Sequence, residues 1–235
     1  MKANFSLLII LILFVPNLYS QDLPHYLTDH EKELLKTYTP PAINVDYITP
    51  PIRNVRTMAE WEELEGIIIT WTSYTSILRQ IVDYAQEEGK VFIVCSDSNT
   101  VKSYLTSGGV PLTNVNFIIT GFNSIWVRDY GPWTVYADDV DSLYIVDWVY
   151  NRPRPADDVI PVSFANYYNA PIYQTTSSPY NLVNTGGNFM VDGMGTAFAS
   201  KLVLTENSTK TEAEIDTIMK RFMGINRFIK MNPLP

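Results

Sequence analysis

Gly66-Ile-Ile-Ile-Thr-Trp71, Val91-Phe-Ile-Val-Cys95 and Val115-Asn-Phe-Ile-Ile-Thr120 are three short apolar runs, and the stretches between them follow a different period. β-Branched and aromatic residues dominate the runs with little polar alternation, the pattern of strands covered on both faces. After the first run, Ile77 to Glu88 has helical spacing, with Ile77, Ile81 and Tyr84 predicted on one apolar face and Gly89 as the stop. A short helix near Val101 to Leu105 precedes the third run. Strands alternating with helices predict an α/β class.

The alternation continues toward the C-terminus. Strands are predicted at Trp133 to Tyr136 and Ser142 to Trp148, a helix near Val162 to Tyr168, and a strand near Ile172. A third cycle has strands at Asn188 to Val191 and Thr196 to Leu204, a helix from Thr211 to Phe222 closed by Gly224, and a strand from Arg227 to Lys230. Two strands, a helix and another strand recur at intervals of roughly 50–60 residues, which suggests stacked modules.

Toward the N-terminus the character changes. Residues 21–56 read as a leader or pro-segment, broken by Pro24, Pro40, Pro41, Pro50 and Pro51. One short helix is predicted in it, with Thr28 as cap and Glu31 reaching back as a capping box ahead of Leu34 and Leu35. Before it, Lys2, the apolar run Leu7 to Val15, Pro16 and the small residues to Ser20 have the order of a secretory signal peptide. Cleavage after Ser20 and a secreted or periplasmic location are expected. The run is too short for a stable membrane anchor.

The net charge of −8 argues against nucleic acid as a partner, because an acidic surface repels phosphate backbones. Cys95 is the single cysteine and lies in a strand-like run, so a buried, inert thiol is expected rather than a nucleophile. His25 and His30 are the only histidines, and no metal-ligand spacing occurs, so neither a metal nor a cofactor is expected.

Three loops carry polar and special residues at strand ends, where functional groups concentrate. In Trp126-Val-Arg-Asp-Tyr-Gly-Pro132, an extended backbone would point Arg128 and Asp129 to opposite sides. A carboxylate beside an indole suits a planar cation, while an ordinary turn with a surface ion pair fits equally well. In Asn151-Arg-Pro-Arg-Pro-Ala-Asp-Asp158, the prolines present Arg152 and Arg154 on a similar side as a fork for a carboxylate; Asp157 and Asp158 neutralising the arginines is the plainer alternative. In Thr185-Gly-Gly-Asn-Phe-Met-Val-Asp-Gly193, the glycines permit close backbone approach, and Asn188 and Asp192 offer an amide and a carboxylate.

Together and in this order, the loops resemble the agmatine deiminase and bacterial peptidylarginine deiminase family. The matching residues are Met58-Ala-Glu-Trp61 with Glu65-Gly66, Trp126 to Pro132, Thr185-Gly-Gly-Asn188, Val191-Asp-Gly193 and Thr205-Glu206. The loop Asn151 to Pro155, with Asp157-Asp158, resembles the peptidylarginine branch. The resemblance implies a pentein-type propeller of five ββαβ modules, about three of them in residues 57–235. It also implies a covalent mechanism in which a cysteine thiolate attacks the guanidinium carbon, a histidine serves as acid and base, and two carboxylates hold the guanidinium nitrogens. Carried over, Asp129 matches a guanidinium-binding carboxylate and Trp126 a pocket wall. Arg152 and Arg154 match the pair that would hold the α-carboxylate of a C-terminal arginine. Arg128, Asn188 and Asp192 match supporting positions.

In the family a His-x-Asp segment and the nucleophilic cysteine follow the third module. No histidine follows His30 here, and Cys95 lies too early to match the nucleophile. The reading is therefore the N-terminal part of a deiminase converting arginine to citrulline, with arginine-containing peptides or proteins, or small guanidino compounds, as partners. The alternatives are an agmatine deiminase making a putrescine precursor and a non-catalytic secreted arginine-binding protein.

Overall fold

The computed structural model describes residues 23–41, 48–138, 140 and 142–233. The segment read as a signal peptide lies outside them. Three sheets make up the frame. The first contains β2 (Gly66–Thr70), β3 (Lys90–Cys95) and β4 (Val115–Ile119), all parallel, with α2 (Thr75–Glu88) and α3 (Ser98–Ser107) as crossovers. The near-continuous apolar sequence of β3 follows from this: Val91 to Cys95 are all buried.

The second sheet has the order β1 (Val55–Thr57), β5 (Trp133–Ala137), β6 (Ser142–Tyr150), β7 (Ile172–Thr175). Strands β5 and β6 are antiparallel, β6 and β7 parallel, and α6 (Ile160–Tyr168) joins the parallel pair. The third sheet repeats that logic with β9 (Met190–Val191) antiparallel to β10 (Thr196–Ser200), β10 parallel to β11 (Arg227–Met231), and α8 (Glu212–Met223) between them. The ββαβ unit expected from the sequence thus occurs in the second and third sheets. The first is a βαβαβ unit instead. Short pieces complete the chain: α1 (Asp29–Leu35), α4 (Val127–Tyr130), α5 (Pro155–Asp158), β8 (Val183–Asn184) beside β6, and α7 (Leu202–Glu206).

Helix α2 forms where its periodicity places it but turns a different face inward. Ile77, Ile81 and Tyr84 are exposed, while Leu78 and Val82 are buried. The two stripes are one residue apart, about 100° around the helix, and packing on Val91 and Ile93 selects the second. The strand expected to run to Leu204 ends at Ser200, and α7 replaces its last residues. Val55 and Arg56, at the end of the stretch read as leader, pair with β5 together with Thr57 as strand β1.

Three apolar clusters hold the sheets to their helices. Leu78, Val82, Val91, Ile93 and Leu105 fill one; Phe92, Ile118, Ile145 and Phe164 another; Trp148, Phe189, Ile215 and Phe222 the third. Cys95 lies in the first, and burial together with the charge of Asp97 pushes its thiol up to about 11, so it carries no thiolate at neutral pH. No described helix is long and apolar enough to cross a membrane.

The edge strand β1 is held by α8. The Thr57 hydroxyl donates to the Met223 carbonyl at 2.5 Å. Gly224 ends α8 with φ of 70°, and a Cβ there would lie 1.9 Å from the Val55 carbonyl oxygen. Gly224→Ala should therefore cost roughly 2–4 kcal/mol, from the left-handed conformation plus displacement of β1. Urea unfolding measures this, and a loss below about 0.5 kcal/mol would contradict the tight packing.

Candidate active site

The Trp126–Pro132 loop is not extended. Residues Val127–Tyr130 form one helical turn, closed by the Gly131 N–H donating to the Val127 carbonyl at 2.6 Å just before Pro132. Arg128 and Asp129 are thus about 100° apart rather than opposed. The Arg128 guanidinium pairs with Glu60 and lies 5.4 Å from the Trp133 ring centroid, tying the loop to the segment that follows β1. Asp129 faces the glycine turn. A Cβ on Gly187 would sit 2.3 Å from Asp129 Oδ1, and one on Gly186 would sit 2.1 Å from the Arg128 carbonyl oxygen. Both glycines are needed because the two loops meet at backbone distance. Among the described residues, no ion pair engages the Asp129 carboxylate.

Of the positions expected to give support, Asn188 lies in the glycine turn itself and Asp192 in the β9–β10 turn. Asn188 Oδ1 accepts from the Ser200 N–H at 2.9 Å and its amide donates to the Ser200 carbonyl at 3.4 Å, fastening the glycine turn to β10. Asp192 accepts from the backbone N–H groups of Met194 at 2.8 Å and Thr196 at 2.9 Å, and these bonds hold its carboxyl below the usual range. It caps the β9–β10 turn, and its side-chain bonds stay within that turn.

A buried polar layer lies beneath the loop. The Tyr130 hydroxyl donates to the Ser124 carbonyl at 2.7 Å and lies 2.7 Å from the Thr70 hydroxyl. Asp157 accepts from the backbone N–H groups of Asn123 and Ser124 and from the Ser124 hydroxyl, at 2.7–3.0 Å. Asp158 accepts from the Tyr150 N–H at 2.7 Å. The two carboxylates do not form ion pairs with Arg152 or Arg154; they anchor backbone. Burial raises both to about 6, and for Asp158 the neighbouring Asp157 adds to the rise.

The arginines of the Asn151–Asp158 loop converge on one element, the N-terminal segment. Arg152 Nη2 donates to the His25 carbonyl at 3.0 Å. Arg154, with 1% of its side chain exposed, donates from Nε to Glu31 Oε1 at 2.7 Å and from Nη2 to the Pro24 carbonyl at 2.6 Å. The Trp126 indole N–H donates to the Leu23 carbonyl at 2.7 Å, and the His25 ring meets the indole edge-on at 5.6 Å. Trp126, Arg152 and Arg154 therefore share a common neighbour.

In and beside the arginine loop are buried polar atoms without hydrogen-bond partners among the described residues: Tyr150 Oη, Asn151 Oδ1, Arg154 Nη1, both side-chain amide atoms of Asn184, and Glu206 Oε2. Tyr150 and Asn184 pair directly across β6 and β8, and the Asn151 amide donates to Glu206 Oε1 at 2.7 Å. Burial, with the charges of Asp129 and Asp157, pushes the Tyr150 phenol up, whereas Arg154 and Arg152 pull it back. Burial raises Glu206 to about 6. Unpaired buried polar atoms cost about 1–3 kcal/mol each and mark places where a polar ligand can supply partners. Sequence reasoning did not single out Tyr150 and Asn184 because nothing in a strand's pattern distinguishes them. Glu206 was visible only as part of the Thr205-Glu206 resemblance.

Residues 56–233 match the model of the Porphyromonas-type peptidyl-arginine deiminase family. The chain belongs to that family. A Legionella pneumophila (strain Paris) protein named "Putative agmatine deiminase" is 29% identical over 133 residues, 51% of this chain and 35% of its own length. Among solved structures, the agmatine deiminase of C. jejuni superposes with a TM-score of 0.61 at 20% identity, over 76% of this chain and 55% of that one. The agmatine deiminase of Enterococcus faecalis gives 0.64 at 19% identity, over 75% and 53%. The chain thus spans about a third of the curated relative and just over half of each solved structure. At these identities the structures establish a shared fold. In this peptidyl-arginine deiminase family member, the matched region contains Asp129, Trp126 and both arginines, whereas segment 23–31, which touches three of them, lies outside it.

The buried carboxyls give the pH dependence a definite sign. Asp158 has a raised folded-state pKa, so the folded protein holds the proton more tightly than the unfolded chain. Its contribution therefore becomes more favourable as pH falls from about 6 toward about 4. Asp158→Asn keeps an oxygen acceptor for the Tyr150 N–H and does not titrate. From pH 7.5 to pH 5, the stability difference should shift toward the wild type by about 1–2 kcal/mol. Denaturant unfolding at both pH values tests this, and a pH-independent difference would remove the buried-charge assignment.

Proposed function

We propose that this chain supplies the substrate-recognising side of a deiminase that converts the arginine of a peptide to citrulline and releases ammonia. The observation carrying this reading is the Asp129 carboxylate, fixed against the glycine turn with no ion pair among the described residues, on the same loop as Trp126, whose neighbour, segment 23–31, also receives Arg152 and Arg154. Asp129 would accept paired hydrogen bonds from a guanidinium while the indole covers its face. The arginine loop would hold a carboxylate at the far end. We take the architecture as about three modules of a five-module α/β propeller, consistent with the repeated ββαβ units.

In the proposed reaction, a thiolate adds to the guanidinium carbon, a C–N bond breaks as its nitrogen gains a proton, and ammonia leaves. Water then adds to the thiouronium carbon, and the ureido product separates from the regenerated thiol. Residues 1–235 hold no match to the family's thiolate or acid–base histidine. The part assigned to this chain is binding and orientation, which lowers the barrier by fixing the carbon where charge relocates. The apolar run Leu7 to Val15 supports export, and with it peptide rather than metabolic substrates.

A second reading, agmatine deiminase, is favoured by the names of the similar proteins and by Arg154 being engaged already by Glu31, because agmatine has no carboxylate to offer it. Calorimetric titration with a peptide ending in arginine and with agmatine separates the two. The peptide should bind more tightly, and Asp129→Asn should weaken it about 10–100-fold, corresponding to about 1.5–3 kcal/mol for a hydrogen bond to a charged group. Preference for agmatine would move the second reading to first place. Equal affinity in wild type and Asp129→Asn would end the guanidinium assignment of Asp129.

A further inference from the structure

Helix α1 is held in an unusual way for a surface helix. Its one buried residue is Glu31, while Leu34 and Leu35 are 43% and 41% exposed. A helix docked by apolar burial would show the reverse. Glu31 has two tasks. It closes the capping box by accepting from the Thr28 N–H at 2.8 Å, and it accepts from Arg154 Nε at 2.7 Å. Burial alone would raise its carboxyl, but the bonds from Arg154 and Thr28 outweigh that and hold it below the ordinary range. Apart from the edge-on His25 ring on Trp126, segment 23–26 meets this face through main-chain carbonyls accepting from Trp126, Arg152 and Arg154. Any peptide carries the same groups.

We infer that residues 23–31 are an intramolecular strap over the carboxylate-binding end of the site, with Glu31 standing where the terminal carboxylate of a peptide ligand would stand. A peptide ending in arginine then binds only by displacing it. This rests on the assignment of Arg152 and Arg154 to a ligand carboxylate made above. Three observations support the exchange. The strap engages Trp126, Arg152 and Arg154 together but makes no hydrogen bond or ion pair to Asp129, so it covers one end of the site and leaves the other. Arg154 gives Glu31 its Nε–Nη2 edge and keeps a buried Nη1 without a partner among the described residues, so a second carboxylate geometry is available to it. Displacement also leaves Arg154 paired, because one carboxylate replaces another, whereas simple departure of the strap would strand a buried cation. The fraction of molecules with the strap off sets the apparent affinity, since binding is weakened in proportion to the scarcity of the competent state.

The test combines calorimetry with hydrogen exchange on the full chain, using a short peptide ending in arginine, the same peptide as its C-terminal amide, and the variant Glu31→Gln. The variant should bind the free-carboxylate peptide at least about tenfold more tightly than wild type, with no such gain for the amide. Exchange of the α1 amides should rise in the variant, and in wild type on saturation with the free-carboxylate peptide, while β3 and β6 amides stay protected as the control for folding. If wild type and variant bind alike, or α1 stays protected in the peptide-saturated wild type, the strap is overturned and the carboxylate assignment survives. If neither protein binds the peptide although α1 is released in the variant, the carboxylate assignment fails and the strap as its competitor falls with it.

Discussion

The contact on which the site depends is the close approach of two glycines to the Arg128–Asp129 turn. Gly186 approaches the Arg128 carbonyl, and Gly187 the Asp129 carboxylate, more closely than any side chain would allow. This joins a turn belonging to the third sheet to a helical turn leading into the second. It orients Asp129 without consuming its charge. The Asn188 clamp on Ser200 and the Arg128 pair with Glu60 hold the two partners from behind. Such an arrangement suits a group meant to receive a cation from outside, because its geometry is fixed by atoms that do not compete for its lone pairs.

Charge is distributed unevenly around that contact. Four acidic groups, Asp147, Asp157, Asp158 and Glu206, are raised by burial, and hydrogen bonds from N–H, O–H and amide groups answer part of that burial penalty. Arg154 is equally buried, yet its countercharge comes from outside the family-matched region, from Glu31. A buried arginine whose partner sits on a helix with exposed leucines is an arrangement open to exchange. The cost of separating the pair is high unless another carboxylate arrives, which is the dependence on which the proposed strap relies.

Much of this was legible in the sequence where local rules govern. The Thr28–Glu31 capping box is present as read, the parallel strands fall on the apolar runs, and Cys95 is a buried thiol. Where two local readings competed, the sequence could not choose. Helix α2 has two apolar stripes one residue apart, and only the sheet beneath it selects Leu78 and Val82 over Ile77 and Ile81. The Trp126–Pro132 loop reads equally as extended chain or as a turn until the Gly131–Val127 hydrogen bond closes it.

What the sequence determined by itself is the class of fold, the caps and stops of the helices, and the family to which the motifs belong, because periodicity, capping and glycine placement act within a few residues. What only the tertiary structure decided is which groups meet. Glu31 and Arg154 are 123 residues apart in the chain, Gly187 and Asp129 lie on different sheets' loops, and Tyr150 becomes part of a polar cluster only when Asn184 is laid beside it. Those meetings depend on long-range packing and on the burial that gives charge its strength, and neither leaves a trace in local residue order.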